Sequence, residues 1–491
     1  MKLRNTSKWK AVAVAMATTL TLSAVRAQNQ SSTPITPIPP ISSTNSSGSG
    51  GYGGAPVPAA RGVSSAYDAR AYDPSQVVPD NNTLSGAENL GVGSLQQARD
   101  VFDPSITLSS WGQTGMPGRN GQNYLHPTSL VGGGVNLNRV WGHNQFTASY
   151  HGGENIYYGY QQNTPYHDLT VSQQFASQRW RLQVRDDFTA APGTTFGDVG
   201  MGGPGLIGQF SSTLGNSLSS VGQRFQPAET IQTNQAMRYS NTALGEVEYS
   251  LSRRSIFTFA GSYGLLHFTD AGFINSHMVN GQAGYDYLLD AKNSIAVLGS
   301  YGKINYSGTS ISTSDYLADL AFGRKITGRL AFQVAAGPEQ IHVTGTGTGG
   351  FQLWTWSVNS ALTYERRRSG ASLSFVRGLS GGSGVLVGAK NNTFTGTVHH
   401  QFSRFWSASA NGGYAFDASL APVGASTIHF NTWFMGANLG HQLGRHTELG
   451  FNYSLLNQNN PAVCPVVGGC GAVGLQQSFG MTVNWHLRSV E

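Results

Sequence analysis

The sequence carries few charged residues for its length. Asp, Glu, Lys and Arg make up 11% of the 491 residues, whereas an ordinary soluble domain carries about 25%. The mean hydropathy is nevertheless only −0.22. A soluble protein with so little surface charge would be hard to keep dispersed, whereas a protein whose outer surface faces lipid has no such need. The composition therefore argues against a soluble globular fold.

A surplus of basic charge is also absent once the first residues are set aside. The whole chain has 30 Lys and Arg against 24 Asp and Glu. Residues 1–27 hold five of the basic residues and none of the acidic ones, so the remainder has 25 against 24. A near-neutral chain has no broad basic surface. We therefore expect no nucleic-acid partner.

The N-terminal apolar run is too short to span a membrane as a helix. Residues 11–25 form a run of about 15 mostly apolar residues, whereas a spanning helix needs about 20. The run follows the basic stretch MKLRNTSKWK and ends at Val25-Arg26-Ala27, a small-residue cleavage site. This order is typical of a signal peptide. We predict that residues 1–27 are cleaved and that the chain is exported.

The sequence has only two cysteines, and it shows no cluster of Ser, His and Asp or Asn close together along the chain. Cys464 and Cys470 are close together in one loop of an exported chain, which predicts a local disulfide.

Gly378-Leu379-Ser380-Gly381-Gly382 matches the G-x-S-x-G nucleophile pattern but leads into a Gly/Ser loop instead of a helix, so we interpret the match as chance. We expect no catalytic site, no metal and no cofactor. An outer-membrane hydrolase stays open, because a fold can assemble a triad from distant residues.

What the chain does contain is glycine, at 64 residues, about twice the usual share of roughly 7%. Residues 28–103 are rich in Pro, Ser and Gly and offer little apolar surface to bury. They are predicted to form a disordered periplasmic tether, followed by a membrane domain at 104–491.

From residue 104 onward, segments of about ten residues alternate apolar and polar side chains. They come in pairs joined by very short turns, and longer polar loops separate the pairs. Strands can cross a bilayer only as a closed barrel, because every backbone polar group must find a partner within the protein. The pattern predicts an all-β fold, a transmembrane antiparallel up-and-down β-barrel of about 18 strands (16–18). Segment 294–306 fits less well, since it is apolar on both faces. The predicted segments are 105–112, 129–139 with 144–157, 166–176 with 179–190, 241–251 with 256–268, 276–288 with 294–306, 314–323 with 328–343, 353–365 with 370–380, 391–402 with 405–417, 428–443 with 446–457, and 475–487.

Charged residues within these strands fall on the face opposite the apolar ones. In ALGEVEYS, Val247 and Tyr249 alternate with Glu246 and Glu248. Glutamate facing hydrocarbon is costly, so the polar face is assigned to a hydrated lumen. The mixed signs of these side chains predict a weak ion preference. The predicted lumen-lining residues are Arg181, Arg185, Asp187, Glu246, Glu248, Asp315 and Asp319.

The longest loop, about 191–240, has no clear secondary structure. A loop of this length inside a compact domain is usually functional or disordered. We predict that part of it folds into the lumen and narrows it. A mobile external loop is the alternative.

The last strand carries a recognisable signal. In SFGMTVNWHL, Ser478, Gly480, Val483 and Trp485 follow the spacing polar, glycine and then two alternate hydrophobic positions. The chain here resembles Gram-negative outer-membrane β-barrel proteins, although residues 486–491 extend beyond the aromatic position at which that family usually ends. The resemblance implies location in the outer membrane, contact with its lipid, and recognition of this strand by the barrel-assembly machinery.

Together these features predict a porin-like channel for passive diffusion of small hydrophilic solutes. A non-conducting barrel with a structural or surface-interaction role through its external loops is the alternative function, and a soluble all-β protein is the alternative fold. The alternation of short turns with long loops argues against the soluble fold. No residue pattern specifies an oligomeric state.

Overall fold

The computed structural model describes residues 101–114, 125–158, 163–192, 231, 237–252, 254–290, 292–345, 350–366, 368–420, 427–444, 446–459 and 474–486. These residues form eighteen β-strands. The strands are β1 (Val101–Thr114), β2 (His126–Trp141), β3 (Asn144–Tyr157), β4 (Thr164–Ala176), β5 (Trp180–Pro192), β6 (Met237–Ser252), β7 (Ser255–Phe268), β8 (Ser276–Leu288), β9 (Asn293–Tyr306), β10 (Ser312–Lys325), β11 (Leu330–Thr344), β12 (Phe351–Arg366), β13 (Ser369–Ser380), β14 (Ala389–Gln401), β15 (Trp406–Ser419), β16 (His429–Gln442), β17 (Thr447–Gln458) and β18 (Gly474–His486).

The strands form one closed antiparallel sheet. Each strand pairs with its neighbours in the sequence, and the first strand pairs with the last. The β1–β18 ladder joins ten residue pairs, from Ser105↔His486 to Thr114↔Gln477. Closure of this kind leaves no unpaired edge facing lipid. The predicted up-and-down barrel of about 18 strands is confirmed. In the part of the chain described, no helix is long and apolar enough to cross a membrane.

Short turns close one end of the barrel. Trp141 pairs with Asn144, so β2 and β3 are joined by only two residues, and Gly142 takes a φ of 55° there. Positive φ at this position is what tight hairpin turns require, and glycine adopts it without steric cost. In the β8–β9 turn the Asp290 carboxylate accepts hydrogen bonds from Asn293 and from the backbone N–H of Lys292, which lower the pKa of Asp290.

The outer face of the barrel is apolar over most of its height. Leu320 is 64% exposed, and Val297 and Phe259 are similarly open. Trp141 and Trp180 lie beside the short turns, as expected of the aromatic girdle at a membrane interface. An apolar exterior on a closed barrel requires a lipid surround. The chain therefore forms a transmembrane β-barrel.

Asp186 is an outward exception in the middle of β5. Its side chain alternates with the inward Arg185 and Asp187, and its Oδ1 accepts a hydrogen bond of 2.9 Å from the Asn241 side chain on the neighbouring strand. The amide donor partly satisfies a carboxylate that would otherwise face lipid alone.

Leu320→Arg is expected to lower the free energy of unfolding in lipid vesicles by about 2–4 kcal/mol, because it places a charge at the bilayer midplane. The same change at Leu330, the first residue of β11 beside a short turn, is expected to cost about 0–1 kcal/mol. Reversible urea unfolding of both variants measures the difference. Equal costs at the two depths would contradict the assignment of this face to lipid.

The predicted strand pairs all correspond to observed hairpins, and the boundary between the predicted tether and the barrel needs correction. β1 begins at Val101, so residues 101–103 belong to the barrel and not to the predicted tether. Phe102 pairs with Leu137 and Pro104 with Val135. Proline lacks a backbone N–H, so Pro104 donates no hydrogen bond to this ladder.

Candidate functional site: the lumen and its inward hairpin

The inward face of the barrel is lined mainly by hydroxyl and amide side chains. Because large apolar residues occupy the outward positions, their sequence neighbours point into the lumen. Many of the inward groups bond to one another across the strands. The Ser109 and Thr482 hydroxyls are 2.8 Å apart, and those of Ser454 and Ser478 are 2.7 Å apart. Such a lining can interact with water and with hydrophilic solutes.

The five predicted lumen residues of β5 and β6 lie on this inward face, and four of them form two ion pairs. Arg181 and Glu248 face each other across the two strands, with Nη2 2.6 Å from Oε1, and both side chains are largely buried. On β5 itself, the Arg185 Nε lies 2.8 Å from the Asp187 Oδ2. Glu246 is buried at 3% exposure on the same face. Both arginines are thus held by carboxylates.

The predicted residues Asp315 and Asp319 of β10 also lie on the inward face, between the outward Tyr316 and Leu320. Asp319 is buried, and the Asp315 carboxylate lies over Gly302 of β9, a space that glycine leaves open. Asp286 on β8 and Glu339 on β11 extend this set of carboxylates, and neither is among the predicted lumen residues. Asp286 could have been found, because it alternates with two tyrosines in YDY.

The upper part of β13 leaves the barrel wall. The β12–β13 ladder ends at Val358↔Arg377, whereas β13 and β14 stay paired as far as Ser380↔Ala389. Residues 351–357 of β12 have register partners on β11 alone. Leu379, whose position in β13 is an outward one, instead packs against the inward residues Ile341 and Val343 of β11. We call this end of β13 and β14, with the loop 381–388, the inward hairpin.

The loop of the inward hairpin reaches across the mouth of the barrel. Val385 and Leu386 are buried against Phe430 of β16 and Ile231 of the β5–β6 connection. On the far side, the backbone N–H of Ile274, just after β7, donates a 2.8 Å hydrogen bond to the carbonyl of Gly384. β7 and β13 are six strands apart in the sheet. A loop that contacts both regions therefore narrows the lumen.

The backbone angles of this loop account for its glycines. Gly382, Gly384 and Gly388 have φ values of 82°, 74° and 75°, and Ser383 has a φ of 53°. Only glycine adopts such angles at little cost. A side chain at Gly384 would also collide with the Phe268 ring of β7. The glycine-rich sequence is what lets the loop turn sharply and lie close to the wall.

The inward hairpin also accounts for the poor alternation of segment 294–306. Ile295 and Val297 face outward as lipid contacts. The inward Ile304 and Tyr306 of the same strand belong to an apolar cluster that receives Leu379 and Val387. β9 is apolar on both faces because one meets lipid and the other meets the hairpin.

The constriction predicted for loop 191–240 lies mostly outside the described residues, which include only 191, 192, 231 and 237–240 of it. Within the described part, residues 381–388 narrow the mouth. The match to G-x-S-x-G begins this segment: Ser380 ends β13, and the chain continues into another strand and not into a helix. In the sequence, the run of three apolar residues between two glycines at 384–388 (GVLVG) could have indicated this constriction.

The last predicted residues belong to β18 and to the loop before it. In β18, Ser478 and Gly480 take inward positions and Val483 and Trp485 outward ones. Cys464 and Cys470 lie outside the described residues, so their disulfide stays a prediction.

Comparison with known proteins finds similarity in fold. No protein-family model matches the chain, and no curated protein matches it. Solved structures of proteins from Pseudomonas aeruginosa do match. OpdL is 9% identical, with a TM-score of 0.37 over 79% of this chain and 99% of its own. OpdQ is 8% identical, with a TM-score of 0.40 over 80% and 100%. OccK2, solved in complex with glucuronate, is 10% identical, with a TM-score of 0.40 over 79% and 98%. At these identities the likeness concerns the barrel fold alone.

Proposed function

We propose that this barrel is a porin-like channel through which small hydrophilic solutes diffuse passively across the outer membrane. The observation that carries the proposal is the inward lining of hydroxyl, amide and carboxylate groups around an 18-stranded barrel. Barrels of 16–18 strands are wide enough for an aqueous channel. The inward hairpin would set the narrowest point.

In this proposal the chain has no catalytic role and needs no cofactor. Ser380 lies in a hairpin between two strands, which lacks the following helix that a nucleophile elbow needs. The barrel-assembly machinery would recognise β18 through Ser478, Gly480, Val483 and Trp485, and outer-membrane lipid would surround the apolar face.

A second candidate function is favoured by the burial of Val385 and Leu386 in the barrel mouth. If the mouth is sealed, the barrel would instead have a structural or surface-interaction role through its external loops.

Single-channel recording in a planar bilayer separates the two functions. The mature chain is refolded, and heat-modifiable gel mobility confirms that the barrel has formed. We expect steady conductance steps from the folded barrel. A folded barrel that gives no steps would contradict the channel and support the sealed alternative.

A further inference from the structure

Buried hydrogen-bonding groups without partners occur on many of the described strands, and two residues that carry such groups are neighbours on β7 and β8. Gln282 of β8 points inward and is 5% exposed, and neither Nε2 nor Oε1 has a hydrogen-bond partner among the described residues. Thr258 of the adjacent β7 is fully buried, and its Oγ1 has no partner there either. Buried polar groups are normally paired, so such groups indicate a place for a ligand or water.

Carboxylates surround these two side chains. The register places Glu246 of β6, Ala260 of β7 and Gln282 in one row across the wall. At about 4.8 Å per strand, Glu246 is therefore about 10 Å from Gln282. Asp286 lies four residues along β8, and Asp319 lies two strands away on β10. We call Glu246, Thr258, Gln282, Asp286 and Asp319 the carboxylate–amide patch.

The carboxylates themselves have contacts within the protein. The groups that can still form hydrogen bonds with a solute are therefore those of Gln282 and Thr258. The carboxylates contribute negative charge around them.

Basic side chains of the neighbouring strands do not lie at the centre of the patch. Arg181 and Arg185 of β5 are paired with Glu248 and Asp187. Arg238 is the second residue of β6, at the long-loop end, and Lys325 is the last residue of β10, beside a short turn. At mid-height between β6 and β10, the inward charged side chains of the described wall outside the Arg181–Glu248 pair are therefore carboxylates.

We propose, on the basis of the channel function above, that the carboxylate–amide patch binds organic cations that carry an ammonium group and hydroxyl groups as they cross the lumen. The carboxylates attract the ammonium group. The Gln282 Oε1 accepts a hydrogen bond from it, while Nε2 and the Thr258 hydroxyl bond to the solute's hydroxyls. In this proposal a preference for cations replaces the weak ion preference that the mixed signs predicted, because both predicted arginines are held in ion pairs.

Three sugars of similar size test the proposal. Liposomes containing the full mature chain are exposed to glucosamine, glucose or glucuronate, which carry a positive, zero and negative charge, and the swelling rate is measured. We expect glucosamine to enter fastest and glucuronate slowest, with about a fivefold difference between glucosamine and neutral glucose from the attraction of one charge in a hydrated lumen. Gln282→Leu and Glu246→Gln are each expected to reduce that difference.

Gln113→Leu is the matched control, because Gln113 is an equally buried inward glutamine on β1, far around the barrel from β8. It is expected to leave the ranking of the three sugars unchanged. Equal entry of all three sugars, or an equal effect of the two glutamine changes, would overturn the patch while leaving the channel intact. Entry of none of them would overturn the channel itself.

Discussion

Replacing residues 381–388 with a two-residue Asn-Gly turn is expected to raise the single-channel conductance severalfold. Ser380 and Ala389 are directly paired, so a tight turn can join them without changing the strands. The change removes Val385 and Leu386, which reach across the mouth to Phe430 and Ile231. Conductance is limited by the narrowest part of a pore. Single-channel recording in a planar bilayer measures the change.

A variant of unchanged length serves as the control. Exchanging Val385 and Leu386 for serine keeps the loop but removes its apolar contacts, so it should become less firmly seated. We expect this variant to show larger current fluctuations instead of one higher level. A folded barrel with the short turn and an unchanged conductance would show that the inward hairpin does not limit the pore.

Arg181→Met is expected to lower the free energy of unfolding by about 3 kcal/mol, because it leaves the Glu248 carboxylate buried without its partner. The two groups lie 2.6 Å apart, with 7% and 15% of their side chains exposed. Adding Glu248→Gln to the variant removes the unpaired charge and should recover most of the loss. Urea unfolding in lipid vesicles gives the free energies.

Arg324→Met is the matched control for this pair. Arg324 is exposed on the outer face of β10 beside a short turn. Its loss is expected to change stability by less than about 0.5 kcal/mol. If Arg181→Met costs no more than this control, the buried pair does not stabilise the barrel.

The strands could be predicted from the sequence because a membrane barrel obeys one local rule. Lipid on one face and a polar lumen on the other force a period of two on each strand, as with Val247 and Glu246. Turn length then sets the pairing, so both the strand count and the face of each charged residue follow from nearby residues.

The inward hairpin could not be predicted in the same way. Leu379 keeps an outward position in the alternation, yet packs inside the barrel because β13 leaves β12 beyond Arg377. That departure depends on Ile341, Tyr306 and Phe430, which lie on distant strands. The cross-strand partners of Asp286 and Glu339 likewise become apparent only once the register is known.

The pairing of β1 with β18 has a consequence for biogenesis. Ser109 and Thr482 share a hydrogen bond across 373 residues of sequence. Closure of the barrel therefore depends on contacts between strands at opposite ends of the described chain, and contacts of such long sequence separation form slowly. The barrel cannot close while the chain is still being synthesised, because β18, the partner of β1, is the last strand to be made. Until then β1 and the growing end are both exposed edges prone to aggregation. The complete polypeptide must therefore be available before the barrel can close.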